Sequence, residues 1–459
     1  MSSITVFPGR VSEVRAESHV RERIQQGALF VFALCHMQDI QPLLCPASLL
    51  LVIIAFLPDI ALYRRQPGVF LPVLLWVLYI PCLCLIHGNF ADGSAGDVFR
   101  RGGRIVYTLS IFVVFAHIRP QVHIERRLTL PVMLAGGTMA TLCLFSFFVR
   151  PIVIGGASLS RANFITGLMG PTGKNPMADV MGTMLVLAVA DFLHAFEHQN
   201  QRKLPFLTLL LAAPVLVAFV FCKSRTWLLA LGVVGAIAVV RAMQRDVRIR
   251  SLAVLGFLVL ATAASVASID RKRQPHGTES TEFRLFMWNR ALHSIVESPL
   301  IGIGIGTFEQ KHVRMHTIIP NLITVRAAGE FQERCQSQSD PNGGMNAHNG
   351  YLNTWTDLGL VGLGLFLWLV WELLRCCRMF SAANLRQSAP ARAYYLPGTW
   401  SATVAMLTLC YMCVAGIAEG YVFYGPIAPM YLVISYGRLV AMTHGLNSVG
   451  QAPPDGQSR

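Results

Sequence analysis

"HNGYLNTWTDLGLVGLGLFLWLVW", His348–Trp371, begins with an ionisable side chain and continues into an apolar, glycine-spaced run. The apolar part is long enough to cross a bilayer, which takes about 20 residues at 1.5 Å rise each. Blocks of this kind recur along the whole chain. Hydrophobic residues make up 54% of the 459 positions and charged residues only 14%, against about 25% charged in a soluble domain. Mean hydropathy is +0.51. The fold class is therefore an all-α polytopic integral membrane protein, in which lipid replaces much of the buried core.

Twelve spans are expected, at about 27–43, 45–62, 68–87, 104–118, 129–149, 176–193, 204–221, 226–240, 251–268, 353–374, 396–418 and 422–440. The division is a cytoplasmic tail over 1–26, spans one to nine over 27–268, an outer loop domain over 269–347, spans ten to twelve over 348–440, and a cytoplasmic tail over 441–459. No cleavable signal sequence is expected, because the first 26 residues are polar and carry Arg10, Arg15, Arg21 and Arg23. Basic residues set the orientation. Arg64, Arg65, Arg119, Arg126, Arg127 and the cluster at 241–250 fall on the side of both termini. That side reads as cytoplasm. Arg100, Arg101, Arg104, Arg150, Arg161, Lys174, Lys223 and Arg225 fall in the short outer loops.

In the outer domain, "ESTEFRLFMWNRALHSIVESP" has apolar residues at Phe283, Phe286, Met287, Ala291, Ile295 and Val296, the spacing of an amphipathic helix. Pro299 and "GIGIG" should end it. The 11 cysteines form neither a disulfide framework nor a zinc pattern, and Cys410 and Cys413 read as small core residues within a span.

Three outer features carry chemistry. "CKSRTW", Cys222–Trp227, puts Lys223 and Arg225 in a very short loop. Arg284 and Arg290 lie in the amphipathic helix. His348 heads the tenth span. Guanidinium forks bind phosphate oxygens bidentately and stay charged at any relevant pH. A neutral histidine accepts a proton near pH 7. Together they suit a phosphorylated donor whose leaving group needs charge stabilisation. "GLMGPTGKNP", 167–176, departs from a phosphate loop at Leu168 and Asn175, though Lys174 could add positive charge outside. "GIGIGTF" lacks the spacing of a dinucleotide fingerprint. Asp39, Asp92 and Asp97 are scattered, so no metal is assigned.

"SRTWLLALGVV", "FRLFMWNRALHSIVESPLIGIGIGTF" and "HNGYLNTWTDLGLVGLG" occur in that order, and the series resembles the O-antigen ligase and polymerase superfamily of bacterial membrane glycosyltransferases. The resemblance implies a GT-C-like fold in the inner membrane with a large periplasmic loop. It implies an undecaprenyl-pyrophosphate-linked glycan as donor and lipid A–core, or another lipid-linked glycan, as acceptor. Membrane lipids are the surroundings, and neither a cofactor nor a nucleic-acid partner is implied. The family's arginines map onto Arg225 and Arg284 and its histidine onto His348, with Lys174, Lys223, Arg290 and Asn349 as secondary candidates. Gly359 and Gly362 fit the ligase spacing after the histidine, but Leu363-Gly364 stands where ligases often carry a hydroxyl pair. A polymerase, and less so a transporter or flippase, are the alternatives. Gly359, Gly362 and Gly364 are expected to let the tenth span approach a neighbour.

Overall fold

The computed structural model describes residues 8–38, 44–60, 67–88, 95–120, 124–149, 152–154, 157–159, 174–197, 204–222, 224–243, 277–308, 349–381, 389–417 and 428–450. The described part is almost entirely helical. In chain order it holds α1 (Pro8–Gln38), α2 (Leu44–Phe56) ending in a 3-10 turn (Leu57–Asp59), α3 (Pro67–His87), α4 (Ala95–His117) and α5 (Ile124–Phe148). A short antiparallel hairpin follows, β1 (Ile152–Ile154) with β2 (Ala157–Leu159). Then come α6 (Lys174–Glu197), α7 (Leu204–Phe221), α8 (Arg225–Met243), α9 (Gly277–Glu297), α10 (Gly350–Ser381), α11 (Ala389–Gly416) and α12 (Ala428–Gly450). The expected span over 251–268 lies outside the described residues.

Among the described residues, five helices are long and apolar enough to cross a membrane, within α3, α5, α6, α10 and α11; shorter apolar helices lie at 44–59, 210–221 and 226–240. α6 and α11 bury 83% and 72% of their apolar windows, whereas α3 and α10 bury only 33% and 28%. The first pair is therefore the centre of the bundle. The second pair presents Leu78, Leu85, Leu360, Leu367 and Trp371 outward, an apolar surface suited to lipid. α11 packs against α12, α8, α10 and α6, and α12 packs against α4. Pro72, Pro81, Pro131 and Pro214 sit inside α3, α5 and α7, as membrane helices allow where neighbours re-satisfy the backbone.

The helices exceed their expected spans at both ends of the chain. α1 is already helical from Pro8, because "SEVRAESHVRERIQQ" is rich in good helix formers. α12 continues to Gly450.

One end of the bundle gathers residues 21–25, 55–60, 117–120 and 438, the end assigned to the cytoplasm from the sequence. It is tightly closed. Asp59 accepts from Gln25 Nε2 at 2.7 Å and pairs with Arg21 at 2.6 Å. Gln25 also donates to the Ala55 carbonyl at 3.1 Å. Ile60 and Ile118 form a β-bridge, and the Arg119 amide donates to the Asp59 carbonyl at 2.8 Å. The guanidinium of Arg438, only 1% exposed, donates to the Ile118 carbonyl at 2.9 Å and the Pro120 carbonyl at 3.5 Å.

Candidate active site at the opposite end

The amphipathic reading of the outer domain is realised as α9, which lies against α10. Phe286, Met287, Ala291 and Ile295 are buried, while Val296 is exposed. The helix stops at Glu297, and the segment 298–308 then folds onto α10. Ser298 and Thr307 brace this loop with hydroxyl hydrogen bonds to the carbonyls of Gly302 and Ile303, both 2.6 Å.

α10 is broken at Gly359, where φ is 67° and ψ −174°, a region essentially restricted to glycine. A break inside an apolar span leaves backbone groups without helical partners, and lipid supplies none. The loop supplies them. The amides of Ile303 and Gly304 donate to the carbonyls of Thr356 and Asp357 at 2.8 and 3.2 Å. The amides of Leu360 and Val361 donate to the carbonyls of Pro299 and Leu300 at 2.9 and 3.1 Å. The remaining freed carbonyl, of Leu358, accepts from Tyr79 Oη at 2.5 Å. Gly302 (φ 72°) lies against this break, and a Cβ there would stand 2.6 Å from both Gly359 N and Thr356 O.

Gly359 does allow a close approach, as expected of the three glycines, but the neighbour is a loop received at a break in the helix. Gly362 faces Tyr79, and Gly364 faces open space. The remaining glycines of "GIGIG" each lie bare against a side chain. A Cβ on Gly304 would stand 2.6 Å from His87 Cβ, and one on Gly306 2.5 Å from Arg101 Nη1. The loop therefore draws His87 of α3 and Arg101 of α4 to the break in α10. Asp357 sits there too, 3% exposed, with Asn353 Nδ2 3.3 Å from its Oδ2. The Arg101 guanidinium and the Gly306 backbone act on this carboxylate. His87, Arg101 and Asp357 were not singled out as site residues from the sequence. An aspartate inside an apolar span, four residues after Asn353, was the available signal.

The last turns of α11 organise the rest of this end. Trp227, in the first turn of α8, stacks near Tyr411 with ring centroids 5.0 Å apart, and Tyr411 Oη donates to the Ala178 carbonyl near the start of α6 at 3.3 Å. Asn349 Nδ2 donates to the Ile417 carbonyl at 3.1 Å, and Tyr351 Oη to the Cys413 carbonyl at 2.8 Å. The starts of α6, α8 and α10 are thereby held by neighbouring turns of one helix.

The sequence candidates take different places. Arg225 opens α8 and Lys174 opens α6; their side chains, and all of Lys223 and His348, lie outside the described residues. Arg284 is half-buried on α9. Arg290 is buried, donates from Nη2 to the Phe308 carbonyl at 2.8 Å and lies 4.9 Å from the centre of the Phe308 ring. It tethers the end of the glycine loop. Asn349 caps α10, its Oδ1 accepting from the amides of Tyr351 and Leu352 at 3.0 Å each. Burial, with Cys143 nearby, pushes the Cys222 thiol up to about 12, so this thiol is a packing group.

Among the described residues, the acids near span ends that a transporter would use have partners within the bundle. Asp191 accepts from Thr208 Oγ1 at 2.9 Å, Asp179 lies 3.4 Å from Thr183 Oγ1, and Glu372 pairs with Arg375 at 2.7 Å. Glu419, Asp39 and Asp92 lie outside the described residues, as does the side chain of Asp97.

Residues 207–367 match the family model described as O-antigen ligase. The matched segment runs from α7 through α8 and α9 into α10. It contains all three motifs that carry the sequence resemblance, and it supports that superfamily. No curated protein matches the chain.

Proposed function

With the O-antigen ligase match over residues 207–367 as premise, we propose that the protein is a GT-C-like glycosyltransferase of about twelve spans in a bacterial inner membrane. Its site faces the periplasm and both termini are cytoplasmic. It moves a glycan from undecaprenyl pyrophosphate to lipid A–core during lipopolysaccharide assembly. The observation that carries this reading is the gathering of the starts of α8 and α10 on the last turns of α11, because these starts bear Arg225 and the residue that follows His348.

In this reading Arg225 and Arg284 bind the donor pyrophosphate. His348 takes the proton of the acceptor hydroxyl as its oxygen attacks the anomeric carbon. The bond from that carbon to the pyrophosphate oxygen breaks, and the arginines stabilise the charge left on undecaprenyl pyrophosphate. A single displacement inverts the anomeric centre and requires no enzyme nucleophile and no metal.

The test offers purified protein an undecaprenyl-pyrophosphate glycan with rough lipopolysaccharide, with and without chelator. Glycan-capped lipopolysaccharide in both arms is expected. Glycan joined only to a second lipid-linked glycan would contradict the ligase reading and establish a polymerase, a reading that Leu363-Gly364 favours by replacing the hydroxyl pair. Loss of transfer in chelator would overturn the metal-independent mechanism.

A further inference from the structure

An arginine and a buried aspartate stand at the break in α10, each with unused hydrogen-bonding capacity among the described residues. Arg101 is half-buried, and among the described residues its guanidinium makes no hydrogen bond or contact ion pair. Asp357 is buried; its Oδ2 accepts from Asn353 Nδ2 at 3.3 Å, and among the described residues its Oδ1 has no hydrogen-bond partner. The Gly306 backbone and the Arg101 guanidinium both act on this carboxyl. A buried carboxylate is costly unless it is compensated, and Asp357 lies where the Gly306 backbone and the Arg101 guanidinium can compensate it. The guanidinium rests against the bare face of Gly306, and among the described residues none of its five N–H donors is committed to a hydrogen bond. A planar fork of donors beside a backbone loop, at the end of the bundle where α8 and α10 begin, is suited to a phosphate group.

We infer that Arg101 is a donor-binding residue of this site, contacting a phosphate of the lipid-linked pyrophosphate, and that Asp357 is the positioning residue that holds it there. Gly306 is required because any side chain at that position would displace the guanidinium. Arg101 supplies positive charge from α4, outside the matched segment, so the donor pocket draws on both halves of the chain. The inference rests on the donor being a lipid-linked pyrophosphate.

The experiment titrates purified full-length protein with undecaprenyl pyrophosphate carrying no glycan, with undecaprenol as the phosphate-free control. Thermal melting monitors the fold of R101Q, R101K, D357N and the double variant R101Q/D357N. The wild type binds undecaprenyl pyrophosphate, and R101Q weakens that binding about tenfold or more, as expected for the loss of charged hydrogen bonds. Undecaprenol binding is unchanged. D357N weakens pyrophosphate binding about threefold in the wild-type background and has no further effect beside R101Q, the non-additivity of residues acting as a unit. If R101Q does not fold, R101K carries the test, with about threefold weaker binding expected from loss of the fork. Pyrophosphate binding unchanged in folded R101Q or R101K overturns the inference, as does a wild type that binds undecaprenol equally well. An additive D357N effect in the R101Q background removes the positioning role. Transfer of glycan is read separately. Arg101-dependent binding without transfer to any acceptor sinks the transferase reading and leaves the site, whereas normal binding and transfer by R101Q sinks the site and leaves the reading.

Discussion

The two ends of the bundle use their charges differently. At the end assigned to the cytoplasm, Arg21, Gln25, Asp59 and Arg438 close on one another or on backbone carbonyls. At the opposite end the break in α10 is closed mainly by backbone, through the loop 298–304, with Tyr79 donating to the Leu358 carbonyl and Ser298, Thr307 and Arg290 bracing the loop. Arg290 is used to tether that loop, whereas among the described residues Arg101 makes no hydrogen bond or contact ion pair and Asp357 Oδ1 has no hydrogen-bond partner. Closing a broken membrane helix with main chain leaves its side chains available to a ligand, while closing an end with side chains makes that end a scaffold.

The comparison breaks most severely at Gly302. In Gly302→Ala the new Cβ meets the backbone of Thr356 and Gly359 at 2.6 Å with φ at 72°, which neither flexible side chains nor rotamers can relieve. A loss of at least about 3 kcal/mol is expected. It should appear as loss of the monodisperse peak of purified protein, and a normal melting temperature would show that the loop does not dock on α10.

A smaller effect is expected at the scaffold end. Arg438→Met leaves the Ile118 and Pro120 carbonyls without this donor, at a cost of about 1–3 kcal/mol. Melting temperature should fall while glycan transfer per folded molecule stays at the wild-type level. A selective loss of transfer would show that the two ends are not separate in function. The smallest effect is expected from Asn349→Ala, which removes the cap of α10 and its tie to Ile417. About 1 kcal/mol is expected, read as a modest drop in thermal melting, and Asn349→Asp should recover most of it because a carboxylate oxygen can still cap.

Hydropathy made the apolar helices legible, and periodicity made α9 legible, since both depend on residues adjacent in the chain. The glycines after His348 were visible as a pattern, but their physical use was not. A span with three small residues reads as a packing face, and only the backbone shows that Gly359 leaves the helical region. Arg290 and Arg284 look alike in sequence, yet Arg290 is committed to Phe308. Arg101 read as one of several outer-loop arginines because its meeting with residues 306 and 357 spans more than 200 positions. No local pattern encodes such a contact. Asn349 was within reach of the capping rule, though it read first as a site residue beside the histidine.

The central proposal is that His348, which precedes α10 in the sequence, takes the acceptor's proton. The most direct measurement is glycan transfer by purified His348→Ala, set beside wild type at equal folded concentration, with donor binding read in parallel. The account predicts unchanged melting and donor binding with transfer reduced about 100-fold or more, the usual contribution of a general base. Transfer at the wild-type rate by the folded variant would contradict it.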